Sequence, residues 1–145
     1  MTRVLVIDDD RSVGEAIQIM LARQHCDTVV APDAQAGLQA FESSKFDVVM
    51  IDIFMPGLDG LETIKGIRER APTVPIVAMS GFKFRNSMAS APDFLGMAAK
   101  LGATFCLRKP FAPHQLMAAI NSCLDPALVS APSTANREPG KGSMR

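Results

Sequence analysis

The sequence predicts an α/β fold built on a five-stranded parallel sheet with five helices. Three observations carry this expectation. Short runs of apolar, mostly β-branched residues recur along the chain. These runs are continuous rather than alternating, as in strands covered on both faces. Between them lie segments whose apolar residues fall at helical spacing. Strand–helix alternation of this kind implies parallel pairing through right-handed crossovers.

Val4-Leu5-Val6-Ile7 is the first strand. Val13, Ile17, Met20 and Leu21 then share one helical stripe, with Asp10 placed to cap it. Thr28-Val29-Val30 is the second strand, and Asp33 caps a helix that turns Leu38 and Phe41 inward. Val48-Val49-Met50-Ile51 is the third strand and ends in Asp52. Met55-Pro56-Gly57 forces a turn. Asp59 with Glu62 forms a capping-box pattern for a helix with Leu61, Ile64 and Ile67 inward. Ile76-Val77-Ala78-Met79 is the fourth strand, ending at Ser80-Gly81. Ser90 and Asp93 are capping candidates for the next helix, in whose first turn Pro92 is tolerated. Thr104 to Arg108 is the fifth strand, stopped by Lys109-Pro110, and a last helix carries Leu116, Ile120 and Cys123.

The 145 residues suit one domain, expected over 1–124. From Asp125 to Arg145 the chain turns to Ala, Pro, Ser and Gly without apolar periodicity, which predicts a disordered tail over 125–145. That tail is too short for an independent DNA-binding domain. A formal net charge of zero gives no electrostatic case for nucleic acid. No apolar stretch approaches the ~20 residues that span a bilayer, and no signal peptide is visible, so a cytoplasmic location is expected. Cys26, Cys106 and Cys123 form no C-x-x-C pair and read as small buried hydrophobes. His25 beside Cys26 is not ligand spacing, and His114 reads as a solvated helix residue.

In an open parallel sheet, ligands bind beyond the carboxyl ends of the strands. The polar residues there should therefore converge: Asp8, Asp9 and Asp10 after the first strand, Asp52 after the third, Ser80 after the fourth and Lys109 after the fifth. One aspartate after a strand is ordinarily a turn or cap residue. Several carboxylates in one cleft repel one another unless a cation relieves them. An oxygen-rich site of this kind suits Mg²⁺, and Lys109 adds a compact ammonium. Asp52 can then act as a nucleophile on a phosphoryl group, with the Ser80 hydroxyl donating to a phosphoryl oxygen.

These residues bring a family into view. V-L-V-I-D-D-D at 4–10, I-D-I-F-M-P-G-L-D-G at 51–60, M-S-G at 79–81 and K-P-F at 109–111 resemble the receiver domains of bacterial response regulators, over roughly residues 2–124. The resemblance implies a doubly wound, flavodoxin-like receiver fold with Asp52 as phosphoacceptor. It matches Asp9 to the direct Mg²⁺ carboxylate and Asp8 to one acting through water. The backbone carbonyl of Phe54 matches the third protein ligand, Ser80 the switch hydroxyl and Lys109 the phosphate-binding lysine. It further implies a cis peptide bond before Pro110. Phosphate would come from a phosphohistidine on a sensor histidine kinase or phosphotransfer protein. The domain would catalyse its own phosphorylation and dephosphorylation without being a conventional enzyme. Phosphorylation would shift the face formed by the fourth helix, fifth strand and fifth helix, changing contact with an output protein that the sequence does not name. Receivers sometimes pair through that face, which leaves a homodimer open.

The chain departs from the family in two places. The position three before the lysine, commonly aromatic, is Cys106. Phe105 and Phe82 are the candidate substitutes, and Phe105 is the poorer one, because adjacent strand residues point to opposite faces. The segment from Ser80 to Lys109 is longer than usual, with the additional residues in Gly81 to Ala91; Phe82, Lys83, Phe84 and Arg85 there read either as a tolerated insertion or as a docking loop. Bulky Phe54 and Phe82 near the acceptor predict slow loss of phosphate. Three other readings stay open: a phosphorylation-independent pseudo-receiver, a phosphorelay intermediate, and a fragment of a longer regulator. An aspartyl-nucleophile phosphohydrolase is disfavoured, since no cap domain is visible.

Overall fold

The structure, a computed structural model, describes residues 1–55, 59–81 and 94–125. The expected tail beyond Asp125, the turn at Pro56-Gly57, the caps at Ser90 and Asp93 and the loop residues Phe82 to Arg85 lie outside the described residues.

The elements run β1 (Arg3–Ile7), α1 (Arg11–Ala22), β2 (Asp27–Ala31), α2 (Ala34–Ser43), β3 (Val48–Asp52), α3 (Asp59–Arg70), β4 (Ile76–Ser80), α4 (Phe94–Leu101), β5 (Phe105–Arg108) and α5 (Pro113–Leu124). All neighbouring strands pair in parallel, in the order β2-β1-β3-β4-β5. The order reverses direction at β1 and β3, the crevice where such sheets bind ligands.

The strand alternation divides the core in two. Val4, Val6, Val48, Met50, Val77, Met79, Phe105 and Leu107 pack with Ile17 and Leu21 of α1 and Leu116 and Ile120 of α5. Leu5, Ile7, Val49, Ile51, Ile76 and Ala78 face the other way, against Leu61, Ile64 and Ile67 of α3 and Ala98 of α4. Sheet residues are thus buried whichever face they take, which explains runs without polar alternation. Phe105 and Cys106 fall on opposite faces, as strand geometry requires, with Cys106 packed toward the α3 and α4 side.

The predicted caps of the first two helices form. Asp10 Oδ1 accepts from the Ser12 N–H at 3.0 Å and the Ser12 hydroxyl at 2.7 Å, and Asp33 Oδ1 accepts from the Ala36 N–H at 2.8 Å. Asp59 is the first residue of α3 rather than the residue before it. The cysteines pack beside the core without being fully enclosed, so their reading as buried hydrophobes needs softening. Burial still pushes the Cys123 thiol up to about 12, far from reactivity. His114 is exposed, as expected.

At the far end of α4, Gly102 at φ 121° ends the helix, with its N–H on the Ala99 carbonyl and that of Ala103 on the Ala98 carbonyl. Arg68 of α3 clasps the Gly102 carbonyl from Nε at 3.2 Å and Nη2 at 2.7 Å. Helix α4 is therefore fastened to α3 at its C-terminal end.

Leu116 is wholly buried between α5 and the sheet. Leu116→Ala should cost about 2–5 kcal/mol, read as a lower urea midpoint at unchanged slope.

Candidate functional site

The carboxyl ends of β1, β3, β4 and β5 meet at one rim. β1 hands over to Asp8, whose N–H continues the ladder to the Ala31 carbonyl of β2 at 3.1 Å. The Asp8 side chain turns back, and its Oδ1 accepts from the Asp10 N–H at 2.9 Å. Asp52 closes β3, and its Oδ1 accepts from the Phe54 N–H at 2.9 Å, an Asx-type turn that fixes the carboxylate. Ser80 closes β4; it is buried, directly follows Met79, the register partner of Asp52, and lies opposite Arg108. The Lys109 N–H donates to the Ser80 carbonyl at 2.9 Å, and the Lys109–Pro110 peptide bond is cis, as the resemblance implied.

The ammonium of Lys109 reaches back over the rim. Its Nζ donates to Asp8 Oδ2 at 2.8 Å and to Asp52 Oδ2 at 3.3 Å. Asp8, Asp9 and Asp52 each bring a carboxylate oxygen to within 4.8 Å of the others. Asp8 and Asp52 are buried while Asp9 is exposed. Asp10, the fourth acid of this rim, serves as the α1 cap, and its bond from Ser12 holds its carboxyl below the ordinary range.

Two of these carboxylates, Asp8 and Asp52, share the Lys109 ammonium, and Asp9 stands beside them. Burial pushes the Asp8 carboxyl up to about 6, although the hydrogen bonds from Lys109 and Asp10 pull the other way and nearby Asp52 adds repulsion. For Lys109, burial opposes its charge. The bond to Asp8 and the charges of Asp52 and Asp8 outweigh that, holding the ammonium above the usual lysine range. The donor set is all oxygen, partly open to solvent through Asp9, and short of positive charge. It fits a hard divalent cation that keeps some of its water.

A cavity of about 460 Å³ opens beside the rim. Its lining combines polar Asp9, Asp52 and Lys109 with apolar Val13, Ile17 and Met20 of α1 and with Phe54 and Phe111. Phe54 both edges this space and packs against the α3-side core. Sequence reasoning anticipated the polar group but not the cavity, because no spacing rule links α1 to the segment after Lys109.

The response regulator receiver domain family matches residues 4–121. The chain belongs to this family. As a receiver, it is 30% identical over 135 residues to the alkaline phosphatase synthesis transcriptional regulatory protein PhoP of Bacillus subtilis, covering 91% of this chain and 52% of that protein. It is 34% identical over 132 residues to the transcriptional regulatory protein FixJ of Bradyrhizobium diazoefficiens, covering 91% and 61%. The chain spans about half the length of curated relatives it matches. Among solved structures, the chemotaxis protein CheY4 of Vibrio cholerae superposes with a TM-score of 0.75 at 26% identity, covering 86% of this chain and 99% of that one. A receiver domain protein from Clostridium thermocellum gives 0.73 at 27%, covering 88% and 97%.

A receiver is a phosphoacceptor signalling switch rather than a conventional enzyme, and receivers bind Mg²⁺ at an acidic cluster; here Asp8, Asp9 and Asp52 stand close together. Family membership implies contact with histidine kinases or phosphotransfer proteins. Among the described residues, no helix is long and apolar enough to cross a membrane.

The folded-state pKa of Asp8 lies above the ordinary 3.8, so its ionised form weighs against the fold. That cost is absent below the ordinary value and complete above about 6. In the metal-free protein, Asp8→Asn should therefore stabilise the fold by on the order of 1–2 kcal/mol near pH 7, after one lost hydrogen bond is allowed for. The gain should shrink as pH falls toward about 4. Paired thermal melts across this range measure it, and a gain that grows on acidification would contradict the assignment.

Proposed function

We propose that this chain is a response regulator receiver that accepts a phosphoryl group from a phosphohistidine onto Asp52 in the presence of Mg²⁺. One observation carries the reading: the Lys109 ammonium bridges Asp8 and Asp52 within a cluster of three carboxylates at the sheet rim. In this reading Asp9 binds the cation directly, Asp8 acts through water, and Asp52 and the Phe54 carbonyl complete the protein ligands. The metal, when bound, offsets negative charge on the phosphoryl oxygens. The Asp52 carboxylate attacks phosphorus as the bond to the histidine nitrogen breaks, giving an aspartyl phosphate. Lys109 steadies the added charge, and the Ser80 hydroxyl donates to a phosphoryl oxygen. Attack of water on phosphorus later releases phosphate and restores the carboxylate.

The reading takes 1–124 as the receiver, with output through protein contact at the α4-β5-α5 face. Cys106 in place of a ring removes the usual aromatic partner of the switch hydroxyl from that face. The same chemistry would serve a phosphorelay intermediate.

Incubation with a phosphorylated histidine kinase and Mg²⁺ should label the wild type and leave Asp52→Asn unlabelled. Beryllofluoride with Mg²⁺ should change the amide spectrum of the wild type. No spectral change and no label would instead favour an interaction module indifferent to phosphate. Phe54 lines the cavity beside Asp52, and in this reading its ring limits the approach of water. Phe54→Asn should therefore shorten the phosphate lifetime severalfold in a chase experiment; an equal or longer lifetime would show that the ring shields nothing.

A further inference from the structure

We propose that Gly60 is a positioning residue for the metal site: the bare backbone at this point of α3 lets the helix seat against the end of β3 and so places Asp52. This rests on the reading of Asp52 as part of a Mg²⁺ site.

Gly60 is buried in the first turn of α3. A Cβ there would stand 2.2 Å from the Asp52 carbonyl oxygen, 2.3 Å from the Ile53 Cα and 2.9 Å from the Asp52 carbonyl carbon. All three are main-chain atoms, so no rotamer change relieves the clash. Gly37 differs in kind. A Cβ at Gly37 would meet side-chain atoms of Ile7, Cδ1 at 2.4 Å, Cγ1 at 2.7 Å and Cγ2 at 3.1 Å, so the clash falls on a side chain and not on main chain.

The stretch pressed by Gly60 carries the site. On one side the Ile53 N–H is tied to the Met79 carbonyl of β4 at 2.9 Å. On the other lies α3. Between these two, Asp52 Oδ1 is held by the Phe54 N–H and Oδ2 faces Lys109. The strand end is clamped, and a methyl group on the helix side can be admitted only if the helix or the strand end gives way. Because the clash falls on the main chain that carries Asp52, yielding at the strand end shifts the Asp52 carboxylate relative to Asp8 and Asp9, which follow a different strand.

The test compares Gly60→Ala with Gly37→Ala in the full chain. Both should lower thermal stability. Calorimetric titration with Mg²⁺ alone should show about tenfold or greater loss of affinity in Gly60→Ala, the scale seen when support of a metal ligand is removed, and near wild-type affinity in Gly37→Ala. In metal-free protein, the amides of Asp52 and Ile53 and the ammonium of Lys109 should shift in nuclear magnetic resonance spectra of Gly60→Ala only. Wild-type affinity and unshifted resonances in Gly60→Ala would overturn the proposal, as would equal loss in both variants. If Gly60→Ala does not fold, Ile64→Ala loosens the seat of α3 one turn on without touching the acids. Weakened Mg²⁺ binding would then support the proposal and unchanged binding refute it. A wild type that ignores Mg²⁺ would overturn the metal-site reading instead, and the metal-free spectra would still decide whether Gly60 sets the Asp52 position.

Discussion

Three carboxylates and one ammonium share the rim of the sheet, and the rest of the structure is arranged around that imbalance. Burying the charge of Asp8 beside Asp52 costs free energy that a single lysine does not fully offset. A fold selected only for stability would replace one of the acids. Their retention makes sense where cationic charge arrives from outside and the resulting field acts on an anion. Asp8 illustrates the economy of the arrangement. One of its oxygens orders the turn into α1 while the other holds Lys109, so an acid whose charge burial disfavours also organises its neighbours.

The fold serves this cluster by keeping polar groups out of everything else. Each strand places alternate side chains into one of two apolar layers, which leaves the strand termini as the natural place for charge. Parallel pairing brings the ends of β1, β3, β4 and β5 to one side although they are far apart in sequence. Main-chain contacts then tighten the placement: the Lys109 N–H to Ser80, the Ile53 N–H to Met79, and the close approach of Gly60 to Asp52.

The strands and the converging acids were legible in the sequence because both follow from local patterns. Continuous apolar runs reported two-sided burial, and each run ended in the residues that mattered. The first two caps were legible for the same reason, since Asp10 and Asp33 bond within three residues of themselves. The Asp59 boundary shifted by one position, the usual uncertainty of a helix end. The cysteines sit at the margins of the core rather than inside it, a distinction that composition does not carry. Contacts between distant elements were also hidden. Nothing near Lys109 announces that its resting partner is Asp8, and nothing near Gly60 announces that it touches the acceptor strand. The longer segment after Ser80 falls largely outside the described residues, so its departure from the family is a matter of length and composition alone.

The open borders of the sheet are β2 and β5. They are five and four residues long, one beginning at exposed Asp27 and the other ending at exposed Arg108. Short borders that end in charge are poor templates for another molecule's strand. A switch must alter its surface to speak to partners, and every such alteration risks exposing backbone that could recruit copies of itself into fibres. With both borders brief and electrically marked, this molecule can change its outward face with little danger of polymerising through its sheet.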